Sequence, residues 1–271
     1  MGLKPVSAVF LPVNDLNIAG MTMSVYNLIS QYILIIGSIV ALVFLAVAGN
    51  EKRAAAGLTR QNWKSAVFIV LLFVGIYIVR TVVSMAGQGV SDGSGMQYVK
   101  EWAAMFKNPM MWLNIAALPI NYFFVFIAFF GEEYGWRYYL QPVLQKRFGL
   151  RAGVIILGVV WGLWHIPDDL FYYTQTSGIQ MIFAQQITCI SLGIFFAYAY
   201  MKTQNIWVPV CLHYLNNNLI PIISGTFSAD VLENQTVSWK DLPVALVLNG
   251  LCFGFFLLAD VFKKKEVQEE E

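Results

Sequence analysis

Apolar residues gather in seven long runs, near residues 26–48, 64–86, 116–141, 152–166, 179–201, 205–224 and 242–262, parted by short polar segments. Most have about the 20 residues that a helix needs to cross roughly 30 Å of hydrocarbon; the fourth, at 15 residues, is short. No strand alternation competes, and an open sheet could not satisfy its backbone in lipid. The pattern predicts an all-α fold, a polytopic transmembrane helical bundle of about seven spans. It divides the chain into an N-terminal segment at 1–25, a bundle over 26–262 with a core at about 115–225, and a charged tail at 263–271. The Gly-rich stretch at 87–95 reads as a flexible connector, and residues 50–63 as an interfacial segment anchored by Trp63.

Composition agrees with the pattern. Of 271 residues, 58% are hydrophobic and 12% charged, against roughly 25% charged in a soluble domain. Net charge is +1, so no nucleic-acid partner is implied. Cys189, Cys211 and Cys252 lie in separate apolar runs and read as small apolar residues, not a disulfide framework. Residues 1–25 carry Pro5, Pro12, Asn14 and Asp15 and no signal-peptide core. With seven alternating spans, twelve Lys and Arg fall on one side, or eleven with Arg137 inside the membrane, against four on the other, with Arg80 inside the second span. The bias sets the N-terminus outside and the C-terminus in the cytoplasm of a multi-pass cell-membrane protein.

Charge inside such runs costs about 2.5–3.5 kcal/mol per residue on the lenient insertion scale, so it marks function. Gly131-Glu132-Glu133-Tyr134-Gly135-Trp136-Arg137 interrupts the third run. Glu133 and Arg137 are i, i+4 and share a helix face; Glu132 sits about 100° away round the helix and stays free to act as a base. The two histidines of the chain, His165 and His213, both fall in apolar runs. His213 and Asn217 are again i, i+4. Glu132 lies 14 residues before Lys146, His165 14 after Arg151, and His213 11 after Lys202. At helical rise these spacings give depths of about 21, 21 and 16 Å. Three spans would then meet in one membrane-embedded polar cavity. Pro119 and Pro142 are expected to bracket the helix that carries the Glu pair.

These groups suit hydrolysis by activated water. Glu132 and His165 could hold and deprotonate a water, and His213 and Asn217 could donate to an oxyanion. Glu132, His165 and His213 equally suit Zn²⁺ with an open water position, so a metal-bound and a metal-free water both stay open. The soluble metalloprotease pattern HExxH is absent, Ile166 and Pro167 following His165. Ser191 and Ser224 sit beside no partner residue in sequence, and Cys211 lies on a different helix face from His213, so no nucleophile stands out.

Glu132-Glu133-x-x-x-Arg137, Trp161-x-x-x-His165 and His213-x-x-x-Asn217 occur in that order. Over about residues 115–225 the chain thereby resembles the CPBP family of intramembrane endopeptidases, which includes CAAX prenyl proteases and bacteriocin-processing or self-immunity proteins. Trp161 departs from the phenylalanine commoner at that place. The resemblance implies a helical membrane fold with a cavity open to the cytosol. It also implies catalytic roles for Glu132, His165, His213 and Asn217, supporting roles for Glu133, Arg137 and Trp161, and a peptide or membrane-protein substrate. A metal, if present, would be held by Glu132, His165 and His213. Two other functions stay open. One is a non-proteolytic immunity or scaffold protein acting on a regulatory membrane partner by binding. The other is a transporter using Glu132 and Arg137 as a proton relay, which the lack of an internal repeat counts against.

Overall fold

The computed structural model describes residues 16–18, 21–23, 25–49, 56–58, 61–88, 93–225 and 234–263. Lys52, Arg53, Arg60, residues 89–92 of the connector and the tail beyond Lys263 lie outside the described residues. A small antiparallel hairpin, β1 (Leu16–Ile18) and β2 (Met21–Met23), pairs Leu16 with Met23. It is the one departure from an all-helical chain among the described residues. The helices are α1 (Val25–Val47), α2 (Trp63–Gln88), α3 (Gly95–Met105), α4 (Pro109–Glu133), α5 (Gln141–Phe148), α6 (Leu150–Trp164), α7 (Ile166–Phe171), α8 (Gly178–Thr203), α9 (Trp207–Ser224) and α10 (Asp241–Cys252). Helix α3 falls in a stretch where the apolar pattern predicts no span.

The protein is an α-helical membrane protein. Four helical stretches among the described residues are long and apolar enough to cross a bilayer: Trp63–Gly87, Pro109–Phe148, Leu150–Phe171 and Gly178–Thr203. They coincide with the second to fifth expected spans. Helices also occupy the other three expected runs, α1 over the first, α9 over the sixth and α10 over the start of the last. The last differs most: α10 stops at Cys252, and the chain continues as 3-10 turns over Gly254–Leu258 and Asp260–Phe262. Phe253, Phe256 and Phe262 there pack inward against α8 and its neighbours, so packing, not helix propensity, shapes this end.

Neither proline bounds the third span. Asn108 caps α4 by accepting from the Met110 N–H at 3.0 Å, with Pro109 in the first turn, where a proline loses no helical bond. Pro119 is carried inside the helix. After Glu133 the chain winds as a π-helix over Tyr134–Leu140, and Pro142 falls where α-helix resumes. A π turn has already left the i→i−4 ladder that an internal proline would break. The result is one helical rod from Pro109 to Phe148 with its irregular turn directly after the Glu pair.

Polarity follows lipid rules. Phe68, Leu71, Ile120, Phe123 and Phe124 point outward and are exposed, as side chains facing lipid tails would be. The closest helix contacts use small residues instead. A methyl added at Gly158 of α6 would lie 2.6 Å from the Ile190 Cα of α8; one added at Gly162, a turn later, would meet the Gln186 side chain at 2.5 Å. Phe73, Phe195, Phe196, Phe253 and Trp161 fill the core beside this seam. Because Ile190 opposes Gly158 with backbone, which cannot swing away, Gly158→Ala should destabilise the protein by about 1–3 kcal/mol. Thermal unfolding of the detergent-solubilised protein measures this, and an unchanged midpoint would refute the close approach.

Candidate active site

Three helical segments converge beside the α6–α8 seam: the end of α4, the end of α6 and the middle of α9. They border a cavity of about 530 Å³ lined by Glu132, Trp161, His165, His213 and Asn217, with Trp164, Tyr172, Tyr173, Cys189 and Asn216 around them. All four residues singled out for chemistry therefore reach one space, as does Trp161. Glu133 and Arg137 do not line it. They lie directly behind it, both fully buried.

The angular step between Glu132 and Glu133 separates their surroundings. Glu133 turns into the protein. Its Oε2 accepts from Arg137 Nε at 2.9 Å, and its Oε1 accepts from His213 Nδ1–H at 2.9 Å. Arg137 also donates from Nη1 to the Gly193 carbonyl at 3.3 Å. Its guanidinium lies 5.2 Å from the Trp161 ring centre and 5.5 Å from that of Phe196, a stacked setting that suits a planar, weakly hydrated cation. The His213 ring is boxed by Phe129, Trp161 and Phe196 at 5.2, 5.5 and 6.1 Å between centres. So the imidazole is held by one charged hydrogen bond and three aromatic walls. Glu132, half-buried, keeps its carboxylate at the cavity.

His165 caps the end of α6, where the last turn leaves carbonyls without helical partners. Its Nδ1 lies 2.8 Å from the Trp161 carbonyl. A carbonyl only accepts, so Nδ1 carries the proton and the lone pair resides on Nε2. Trp161, four residues earlier, thus supplies both a wall for His213 and the backbone oxygen that sets the His165 tautomer. Outside the spanning segments, burial pushes the Tyr173 phenol up, and the neighbouring Asp168 and Asp169 carboxylates add to the shift. Tyr173 therefore stays a neutral, hydrogen-bonding wall of the cavity.

Apolar patterning does not reveal every residue around the site. Tyr77 of α2 donates its O–H to Asn216 Oδ1, and Asn216 Nδ2 donates to Asn217 Oδ1 at 2.9 Å. Tyr77 lies 139 residues from Asn216 in an ordinary apolar run, and its one sequence signal is Arg80 a turn later. Cys189 approaches His165 Nδ1 at 3.8 Å, which spacing alone could not foretell. The possible zinc ligands Glu132, His165 and His213 all border the cavity. However, no group of three His, Cys, Asp or Glu side chains among the described residues is arranged to hold a metal ion. His213 and His165 have each committed Nδ1 elsewhere. That leaves Nε2 of each ring as the nitrogen a metal would take, the usual arrangement of a ligating histidine; with no such group of three arranged among the described residues, no step below is routed through a metal.

The buried triad generates a stability prediction. Arg137→Met should cost about 3–5 kcal/mol, because it leaves one oxygen of the buried Glu133 carboxylate without its guanidinium partner. Replacing both partners, as in Arg137→Met with Glu133→Leu, should be less destabilising than Arg137→Met alone. Unfolding midpoints of the two variants in detergent compare them; equal or greater loss in the double variant would show that the pair is not coupled.

Comparison with known proteins bears on the same residues. Residues 114–219 match the family described as Type II CAAX prenyl endopeptidase Rce1-like. A CAAX prenyl protease 2 of Methanococcus maripaludis is 27% identical over 125 residues, which cover 43% of this chain and 45% of that protein. The chain thus spans less than half the length of this relative. No solved structure matches. The matched segment contains Glu132, Glu133, Arg137, Trp161, His165, His213 and Asn217, the residues that build and back the cavity. Over this core the chain is similar to the CPBP/CAAX protease family.

Proposed function

We propose that the protein is an intramembrane endopeptidase that hydrolyses a peptide bond with a water activated by Glu132 and His165, near the cytosolic face, as a CAAX-type protease would. One observation carries the reading. Glu132, His165, His213 and Asn217 border a single cavity, while the neighbouring Glu133 and Arg137 are buried behind it and hold His213. In this reading the chain crosses the membrane about seven times with an outer N-terminus and a cytoplasmic C-terminus, which the Lys and Arg distribution supports, and the cavity lies within the membrane and opens to the inner side.

The chemistry follows from which atoms are free. The Nε2 lone pair of His165 accepts one hydrogen of a water and orients it. Glu132 removes the other proton as the oxygen attacks the peptide carbonyl carbon. The carbonyl electrons move onto oxygen, and that oxyanion accepts from the amide N–H of Asn217 and from His213. Because Nδ1 of His213 is already spent on Glu133, only the imidazolium can donate from Nε2. Glu132 then passes its proton to the departing nitrogen as the C–N bond breaks, which leaves a carboxylic acid and an amine; the acid's proton then moves to the amine, giving carboxylate and ammonium. With His213 charged, the cluster holds two cations, Arg137 and His213, against two carboxylates, Glu132 and Glu133. That balance is what a charged site in a low-dielectric setting requires.

Two outcomes test the reading. Glu132→Ala in the reconstituted full-length protein should lower the cleavage rate by about 10²–10⁴-fold, the range of a general base, without shifting the unfolding midpoint. Full activity in that variant would end the proposal. A cellular phenotype that survives both Glu132→Ala and His165→Ala would favour action by binding a membrane partner. The rate should also be bell-shaped in pH. It falls on the acid side as Glu132 takes up a proton and on the alkaline side as His213 loses its second. A profile without an alkaline limb would remove His213 as a cationic donor.

A further inference from the structure

Asn217 is exposed towards the cavity, and an asparagine has two ends. Its N–H₂ stabilises an oxyanion, whereas its carbonyl oxygen repels one. The usefulness of Asn217 depends on which end faces the substrate, and the surrounding hydrogen bonds decide that from behind. Asn217 Oδ1 is occupied by Asn216 Nδ2 at 2.9 Å. Asn216 Oδ1 is occupied in turn by the Tyr77 O–H. Both amides are therefore polarised in one direction, with oxygens towards α2 and the last N–H₂ left for the cavity. Reversing Asn217 alone would set its N–H₂ against that of Asn216 and lose the bond between them. Chains of hydrogen bonds aligned in this way reinforce one another in a low-dielectric setting.

Tyr77 is built to start such a chain. It is 5% exposed, and its ring is wedged edge-on against Phe73 at 4.9 Å and tilted against Phe253 at 5.1 Å. The Arg80 guanidinium lies 5.6 Å from the ring centre. A cation over the ring draws electron density from the phenol and strengthens its O–H as a donor. This accounts for a positive residue inside the apolar second span that the hydrolytic scheme leaves without a role.

We infer that Tyr77 is a positioning residue of the oxyanion site: through Asn216 it holds the Asn217 amide with its N–H₂ towards the scissile carbonyl. The inference rests on the proposed hydrolysis, and its test separates the two. The probe is an internally quenched peptide that the full-length wild type cleaves in proteoliposomes. Loss of cleavage in Glu132→Ala checks the hydrolytic reading, and retained cleavage there overturns it. Tyr77→Phe keeps the ring packing and deletes only the hydroxyl; it should lower kcat about 3–10-fold, the worth of one hydrogen bond, with KM unchanged. Asn216→Ala, which leaves Tyr77 in place, should do the same. Combined with Asn217→Ala, neither change should slow the enzyme further, because the donor they position is gone. Losses that multiply on the Asn217→Ala background, or a Tyr77→Phe kcat equal to wild type, would overturn the inference while leaving the hydrolytic reading intact.

Discussion

The hydrogen-bonded line Arg137–Glu133–His213 is the constraint on which the rest of the site depends. Glu133 has no water to solvate it, so both its oxygens must be satisfied by protein. Arg137 takes one and His213 the other. That requirement pins α4 to α9 at one depth. It also commits Nδ1 of His213 and so dictates what His213 can offer the cavity. Removing any member leaves a buried polar group unpaired, which is why the three act as a unit.

Helix packing brings the remaining groups to that line. Gly158 and Gly162 let α6 lie close against α8, and Trp161 between them faces Arg137, His165 and His213 at once. The π-helix after Glu133 gives the third span its irregular turn beside the site, a feature common where function overrides regular winding. It also lets the rod run on past Pro142, while Pro109 sits in the first turn and Pro119 within α4. The same scaffold that buries the supporting charges leaves Glu132, His165 and Asn217 at the cavity.

The match to CAAX prenyl endopeptidases covers the part of the chain that builds this site and stops short of both ends. The likeness thus falls on the segment that builds the cavity. Helices α1, α2, α3 and α10 lie outside it, and α2 nevertheless contributes Tyr77 to the back of the site. The back of the cavity is thus built partly by a helix outside the matched segment.

Much of the architecture was legible in the amino-acid pattern. Apolar runs of bilayer length dictate helices, and helices occur in all seven. Helical periodicity also sufficed to pair Glu133 with Arg137 and to separate Glu132 from both, because i, i+4 geometry is local. The ordered motifs pointed to the residues that line the cavity. Other features needed the tertiary structure. The end of the last run turns to 3-10 geometry because Phe253, Phe256 and Phe262 find places against α8. The prolines do not bracket the Glu helix because a cap and a π turn absorb two of them and the helix carries the third. Which ring nitrogen of each histidine is committed, and which way the Asn217 amide faces, depend on partners up to 139 residues away. Sequence spacing carries no record of such contacts. They exist only once packing has brought Tyr77, Glu133 and Trp161 to the backs of the groups they orient.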